Sequence, residues 1–256
     1  MGSVLVAFSG GVDSTFLLRV AHDTLKERAV ALTATSPTYL TTELTEAKEL
    51  ALNMGVKHLI LDSNELLIPN FADNPENRCY YCKSELFEIC RAKADELELS
   101  YVLDGTNIDD RSDYRPGKTA AIEKKVKSPL EDAELTKVEI RFLSKELGLP
   151  TWEKPNLACL SSRFPYGTKI TEERLQVIAK TEAYLKELGF TQLRVRYHEK
   201  TARIEIPGED LLKITKKDVR ELVVKKFKEA GFTYVTLDLE GYRTGSMNEA
   251  LKDKQF

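Results

Sequence analysis

Seven residues near the start of the chain, Ser9-Gly10-Gly11-Val12-Asp13-Ser14-Thr15, constrain the fold more than any other segment. They follow an apolar run, Val4 to Phe8, and lead into Ser14 to Lys26, where Phe16, Leu17, Val20, Ala21 and Leu25 recur at helical spacing. The unbroken apolar run suits a strand buried on both faces. Two glycines permit a tight turn and close backbone approach. Amides at the start of the following helix point outward, with the positive end of the helix dipole behind them. The segment is therefore expected to be an anion cradle. It lacks the Gly-Lys-Ser/Thr ending of a Walker A loop. An ordinary strand–helix turn capped by Ser9 or Asp13 would not account for the agreement of position, flanking strand and full string.

The alternation continues downstream. Ala29 to Thr35 reads as a strand, Leu44 to Met54 as a helix stopped by Gly55, Val56 to Leu61 as a strand, Lys83 to Leu97 as a helix and Tyr101 to Leu103 as a strand. Strands alternating with helices predict an α/β fold with a doubly wound parallel sheet. Ligands of such sheets bind beyond the carboxyl ends of the strands, so the loops after Phe8, Thr35 and Leu103 are the ones to watch. Near Pro165 the pattern changes. Thr171 to Leu188 reads as one long helix, Leu193 to Tyr197 and Ala202 to Ile206 as strands, Leu211 to Ala230 as mostly helix and Tyr234 to Leu239 as a last strand. A smaller α+β domain is expected over residues 166–256, after an α/β domain over 1–165. Residues 1–165 carry 20 basic and 26 acidic side chains, residues 166–256 carry 18 and 15.

Composition removes several classes. The longest stretch without a charge, Ala29 to Thr42, is only 14 residues long and carries Thr, Ser and Pro, so no membrane-spanning helix is expected. No basic segment precedes Val4, so no signal peptide is read and a cytoplasmic location is expected. A net charge of −3 argues against a wholesale polybasic nucleic-acid binder.

Four cysteines in such a chain point to thiol or metal chemistry before disulfides. Cys79 and Cys82 form a C-x-x-C pair between the cations Arg78 and Lys83, just ahead of the expected helix, a setting that favours thiolates. Cys159 lies in a polar, proline-punctuated stretch, Lys154 to Gly167, which suits a reactive thiol more than a core one. Cys90 shares a helical stripe with Leu86, Ala94 and Leu97 and reads as core packing. Three thiolates at Cys79, Cys82 and Cys159 could hold a [4Fe–4S] cluster with one iron open to sulfide or substrate. Zinc with Cys90 as fourth ligand and a redox dithiol are the alternatives.

The string SGGVDST resembles the PP-loop of the ATP pyrophosphatase superfamily, which cleaves ATP between its α and β phosphates and activates a carbonyl or carboxyl oxygen as an adenylate. That resemblance implies that Ser9, Gly10, Gly11, Asp13 and Ser14 hold the leaving pyrophosphate. It places Ser36 near the nucleotide, and Asp104, Gly105, Thr106 and Asn107 along the same crevice. Further strings, NRCYYCK, DGTN followed by DD, RPG, CLSSRFPYG, LRVRYH, ARIEIP and GYRTGSMNE, run the length of the chain and resemble the LarE family of ATP-dependent sulfur transferases.

The LarE resemblance implies adenylation of both carboxylates of a pyridinium-3,5-biscarboxylate mononucleotide, then sulfur attack to give thiocarboxylates and AMP. The product belongs to nickel-pincer nucleotide biosynthesis, the lactate racemase cofactor. The family implies two varieties: one sacrifices the sulfur of a single cysteine and ends as dehydroalanine; the other carries sulfide on a three-cysteine [4Fe–4S] cluster. With Cys159 at the sacrificial position and the C-x-x-C pair as well, this chain resembles the cluster variety. Mg²⁺ would neutralise the pyrophosphate, with Asp13 the nearest carboxylate. Arg194 and Arg196, two apart on a strand, share a side of the sheet and suit the substrate phosphate. Arg243, Ser246 and Asn248 are implied as partners of that anion, and Glu182 and Asp210 as auxiliary metal ligands. Implied partners are the small nucleotide, sulfide or another sulfur donor, and further copies of the chain. A tRNA-thiolating enzyme of the same superfamily is the chief alternative, with a non-sulfur PP-loop ligase and a noncatalytic ATP-binding module behind it. No aromatic-rich RNA-binding module is visible to favour tRNA.

Overall fold

The computed structural model of the chain describes residues 1–112, 116–155, 158–243 and 245–249, the Ser112 side chain excepted. Of the quoted strings, Arg115 and Thr244 lie outside these residues. The chain divides into two compact units, residues 1–71 with 75–157 and residues 72–74 with 158–256. Among the described residues no helix is long and apolar enough to cross a membrane.

The first unit is an α/β fold. Its strands β1 (Val4–Ala7), β2 (Ala29–Thr35), β3 (Lys57–Asp62) and β4 (Tyr101–Leu103) form one sheet in the order β3-β2-β1-β4, all parallel. Helix α1 (Val12–Leu25) and helix α2 (Thr41–Asn53) pack on the face that carries Val4, Val6 and Ala31, through Phe16, Leu17, Ala47, Leu50 and Ala51. Helix α3 (Arg78–Glu96) and helix α4 (Gly117–Glu123) cover the other face, where Phe87, Cys90, Ala94 and Ala120 meet Leu5, Leu32 and Val102. The sheet is thus wound in both directions from β1, as expected. Strand order reverses between β1 and β4, the switch point beside which open α/β sheets bind ligands.

Two features depart from the sequence expectation. Helix α3 begins at Arg78 rather than Lys83, so Cys79 and Cys82 lie within its first turns instead of ahead of it. Burial of Arg78 to 5% exposure draws this weakly helical Cys/Tyr-rich stretch into the helix, packing overriding propensity. A short helix α5 (Pro129–Asp132) and a ten-residue helix α6 (Lys137–Glu146) also belong to the first unit, beyond the helices that the periodicity predicts. Helix α6 starts with a full capping box between Thr136 and Glu139.

The second unit opens with a 3₁₀ turn over Leu160–Arg163 and helix α7 (Glu172–Glu187), whose N-cap Thr171 accepts a bond from the Arg174 amide at 3.3 Å. Strands β5 (Arg194–His198), β6 (Thr201–Glu205) and β7 (Tyr234–Leu237) follow in that spatial order, the first pair antiparallel and the second parallel. The short segment Ala72 to Asn74 is stitched into this unit. Asn74 Nδ2 donates to the carbonyls of Phe164 (3.1 Å) and Pro165 (2.7 Å), and its own carbonyl accepts from the Gly167 amide at 2.8 Å.

The mostly helical stretch over Leu211 to Ala230 consists of two helices, α8 (Leu211–Thr215) and α9 (Lys217–Glu229), separated at extended Lys216. The reason lies in phase. Ile214 and Val223 are both buried. Nine residues apart on a continuous helix they would face about 180° from each other. The break lets both reach the core.

Candidate active site

The Ser9–Thr15 loop leaves β1 at its carboxyl end, turns at Gly10 (φ +70°), and enters α1 with Gly11 as N-cap. The first intrahelical bond runs from the Thr15 amide to the Gly11 carbonyl at 2.9 Å, so the amides just before it have no partner within the helix. Neither Ser9 nor Asp13 caps the helix with its side chain. Instead Ser9 and Ser14 close the loop on itself. Their hydroxyls lie 3.1 Å apart, the Ser9 amide donates to Ser14 Oγ at 3.3 Å, and the Gly11 amide donates to Ser9 Oγ at 3.3 Å.

Space is tight at two of the three glycines that line this crevice, Gly10 and Gly105. A Cβ on Gly10 would lie 3.1 Å from Ala47 Cβ, and one on Gly105 would lie 3.1 Å from the Ser14 amide nitrogen. The loops after β1 and β4 are therefore in backbone contact. Asp104 arranges the second loop: it accepts from the Thr106 hydroxyl at 2.9 Å, the Thr106 amide at 3.3 Å and the Ser128 hydroxyl at 2.7 Å. The loop after β2 joins them through Tyr39, whose hydroxyl donates to the Ser9 carbonyl at 2.7 Å, while Ser36 and Thr38 hydroxyls lie 3.0 Å apart beside it. Burial, with Glu43 and Glu46 nearby, pushes the Tyr39 phenol well above its ordinary range, so it stays a donor.

The structure thus gathers Ser9, Gly10, Gly11, Asp13, Ser14, Gly105 and Thr106 at one end of the sheet, with Ser36 in the adjoining loop. It adds two lysines that the sequence reading did not assign, Lys137 and Lys154. The Lys137 ammonium ion-pairs with Asp13, and Asn107 Nδ2 donates to the other Asp13 oxygen at 3.4 Å. Lys154 donates to the Gly10 carbonyl at 3.0 Å and pairs with Glu46 at 2.6 Å. The capping box at Thr136 and Glu139 was the available signal for Lys137, because it fixes that lysine at the first position of α6.

Cys79 is exposed and Cys82 half-buried, its thiol 3.9 Å from Glu65 Oε1. Cys90 is fully buried in the first unit's core as expected, and burial pushes its thiol up to about 12. Cys159 belongs to the second unit and is exposed at the N-cap of the Leu160–Arg163 turn. Its neighbours Asn156 and Leu157 lie outside the described residues. Among the described residues no three His, Cys, Asp or Glu side chains gather as a metal-binding set.

The second unit places two arginines behind the Cys159 turn, both almost fully buried. Arg163 forks onto Glu182 at 2.8 and 2.9 Å and donates to the carbonyls of Ala158 (2.7 Å) and Cys159 (3.1 Å). Arg196 donates to the Ser162 carbonyl at 2.7 Å, Glu205 Oε2 at 2.7 Å and Ser246 Oγ at 2.8 Å. Glu182 also accepts the Val195 amide at 2.9 Å. Burial alone would raise its carboxyl, but the Arg163 charge and these hydrogen bonds outweigh that and hold it below the ordinary carboxylate range. Both oxygens of Glu182, expected as a metal ligand, are thus already engaged. Asp210 ends a separate 3₁₀ turn, Gly208–Asp210. Arg194 is less buried than Arg196 and stacks 5.2 Å from the Tyr242 ring centre. Arg243 pairs with Glu240 (3.0 Å) and Glu249 (3.1 Å). Ser246 sits in the Arg196–Glu205 cluster, and Asn248 accepts from the Tyr166 hydroxyl at 3.0 Å.

No family model matches the chain. It is 48% identical over 247 residues to an uncharacterised protein of Synechocystis, covering 96% of this chain and 92% of that one. It is 37% identical over 258 residues to the pyridinium-3,5-bisthiocarboxylic acid mononucleotide synthase of Lactiplantibacillus plantarum, covering 99% and 91%. An uncharacterised Methanocaldococcus jannaschii protein is 33% identical over 244 residues, covering 94% and 91%. Weaker matches over part of the chain reach GMP synthases and a tRNA-specific 2-thiouridylase. The GMP synthase and thiouridylase matches fit a PP-loop fold.

Proposed function

The chain belongs to the family of the Lactiplantibacillus plantarum pyridinium-3,5-bisthiocarboxylic acid mononucleotide synthase, and from that membership we propose that it converts the two carboxylates of a pyridinium-3,5-biscarboxylate mononucleotide to thiocarboxylates at the expense of ATP. The observation that carries the reading is the match along 99% of the chain. The glycine-built loop and the exposed Cys159 supply the two chemistries such a reaction needs.

A carboxylate is a poor electrophile, and its oxygen must first become part of a leaving group. In the proposed first step the substrate carboxylate attacks the α-phosphorus of ATP, and the bond to the β-phosphate oxygen breaks. Ser9, Gly10, Gly11 and Ser14 receive the departing pyrophosphate on backbone amides and hydroxyls. Ser36, Gly105 and Thr106 line the nucleotide. Lys137 answers the charge that develops at the phosphates, because fixed cations act most strongly where charge forms. Asp13 would hold a magnesium ion that neutralises the pyrophosphate, a duty one carboxylate suffices for when phosphates complete the shell.

In the second step a sulfur nucleophile attacks the acyl carbon and AMP departs. Cys159 is the proposed sulfur. If it gives up its own, loss of the Cα proton breaks the Cβ–S bond and leaves dehydroalanine beside a free thiocarboxylate. The C-x-x-C pair, one helical turn apart on α3, is the observation that favours a renewable carrier, with Cys79, Cys82 and Cys159 as the thiolates of a [4Fe–4S] centre. Arg194 is the proposed phosphate contact for the substrate, with Arg243 in support.

The test is anaerobic turnover with ATP and the biscarboxylate nucleotide, before and after reconstitution with iron and sulfide. Pyrophosphate, AMP and thiocarboxylate are expected together. More than one sulfur per chain after reconstitution, lost on Cys79→Ala or Cys82→Ala, supports the carrier. One sulfur per chain, with the Cys159 peptide lighter by one H₂S, supports sacrifice. No thiocarboxylate under either condition overturns the proposal.

A further inference from the structure

Resting on the sulfur-transfer reading, we propose that Arg163 and Glu182 are positioning residues, a buried strut that fixes the Cys159 turn in register with the arginine-bearing strand β5. Their side chains are only 4% and 2% exposed. A buried ion pair is weak evidence for stability, since desolvating two charges can cost as much as their attraction returns. What distinguishes this pair is where its remaining hydrogen bonds go. Arg163 presents one edge of its fork to Glu182, and its Nη1 collects the carbonyls of Ala158 and Cys159 and the Ser162 hydroxyl at 2.9 Å. Glu182, on α7, accepts the Val195 amide with the same oxygen that takes Arg163 Nε. One carboxylate therefore ties the Cys159 turn, helix α7 and strand β5 together, and Val195 lies between Arg194 and Arg196. Arg196 grips the far end of the turn at the Ser162 carbonyl.

The thiol itself is exposed. Backbone held from behind leaves the side chain free while fixing its origin, as a nucleophile that must meet an acyl carbon at one distance requires. The guanidinium gives Glu182 two donors and reaches two carbonyls and a hydroxyl from Nη1, whereas an ammonium has three donors on a single atom, so lysine is not an equivalent.

Two variants separate positioning from folding. Arg163→Lys keeps a counter-charge for Glu182 but loses the fork. Arg163→Met/Glu182→Leu removes both charges together, the replacement that buried pairs tolerate best. Amide hydrogen exchange over residues 158–162 is expected to quicken at least tenfold in each, with the melting transition retained. The kcat for thiocarboxylate formation from the biscarboxylate nucleotide is expected to fall at least tenfold while KM for ATP stays within twofold. A folded variant of either kind with wild-type exchange over 158–162 and wild-type kcat overturns the strut. If the double variant does not fold, Arg163→Lys decides alone. If the wild-type chain makes no thiocarboxylate, the functional proposal fails. The exchange measurement, which needs no substrate, then decides whether Arg163 and Glu182 hold the turn.

Discussion

Asp13 shows how much a single side chain in the loop can be asked to do. It is held by Lys137 on one oxygen and Asn107 on the other. Asp13→Asn should therefore keep its place and the fold while losing the charge. Pyrophosphate release is expected to drop about 10²-fold, the scale of one lost electrostatic contact to a transferring phosphate. A folded variant with near-normal release would remove Asp13 from the reaction. The two arginines of β5 make a contrasting pair. Arg196→Ala would leave the fully buried Glu205 with Arg203, 2.9 Å away, as its remaining counter-charge, so it should cost about 1.5–3 kcal/mol of stability in denaturant titration, the scale of a lost charge-assisted hydrogen bond. Arg194→Ala should leave stability nearly unchanged and raise KM for the nucleotide, without loss of ATP affinity. Were ATP affinity to fall instead, Arg194 would belong to the other site. Among the thiols, burial holds Cys90 near 12. Iodoacetamide at pH 8 should label Cys79, Cys82 and Cys159 in the native chain and spare Cys90, read by peptide mass. Early labelling of Cys90 would contradict its burial.

At the scale of elements, the phosphate loop is a joint between three strand ends. Its conformation depends on two absent side chains. Gly10→Ala would place a Cβ against Ala47 of α2 at a left-handed φ, and Gly105→Ala would drive one against the Ser14 amide. The first change carries a conformational cost of about 1–2 kcal/mol, and both should weaken ATP binding. ATP-dependent shifts of the melting temperature would report it, and an undiminished shift in both variants would show that the cradle lies elsewhere. The helices show where local pattern is legible and where it is not. Helix α7 was readable because Thr171 caps it and Gly189 stops it. The break between α8 and α9 was hidden, because the chain around Lys216 has no proline or glycine and only the core reveals that Ile214 and Val223 must face the same way. Helix α6 carries its own signal in the sequence, a capping box ahead of a short amphipathic run.

For the whole molecule, acid is the discriminating condition. Arg163 holds Glu182 below the ordinary carboxylate range despite its burial. A group with a depressed native pKa contributes stability that is complete above its unfolded value, about 4.3, and is lost as pH falls through the native value. The second unit should therefore lose stability on acidification below about pH 4. The Arg163→Met/Glu182→Leu chain should show a shallower acid limb, measured by urea titration across pH. Parallel acid limbs would mean that other carboxylates govern the transition.

The sequence alone determined the winding of the first sheet, the place of the phosphate loop at a strand's carboxyl end, and the burial of Cys90. These follow from periodicity and from glycine's freedom, both local properties of the chain. Tertiary structure decided what the charged side chains do. Arg196 and Glu182 sit on a strand and a helix whose pattern marks their faces, but nothing nearby in sequence names a partner 34 or 19 residues away. Pairing of buried charges is settled by which elements pack together. The same holds for Lys137, which reaches Asp13 from 124 residues along the chain.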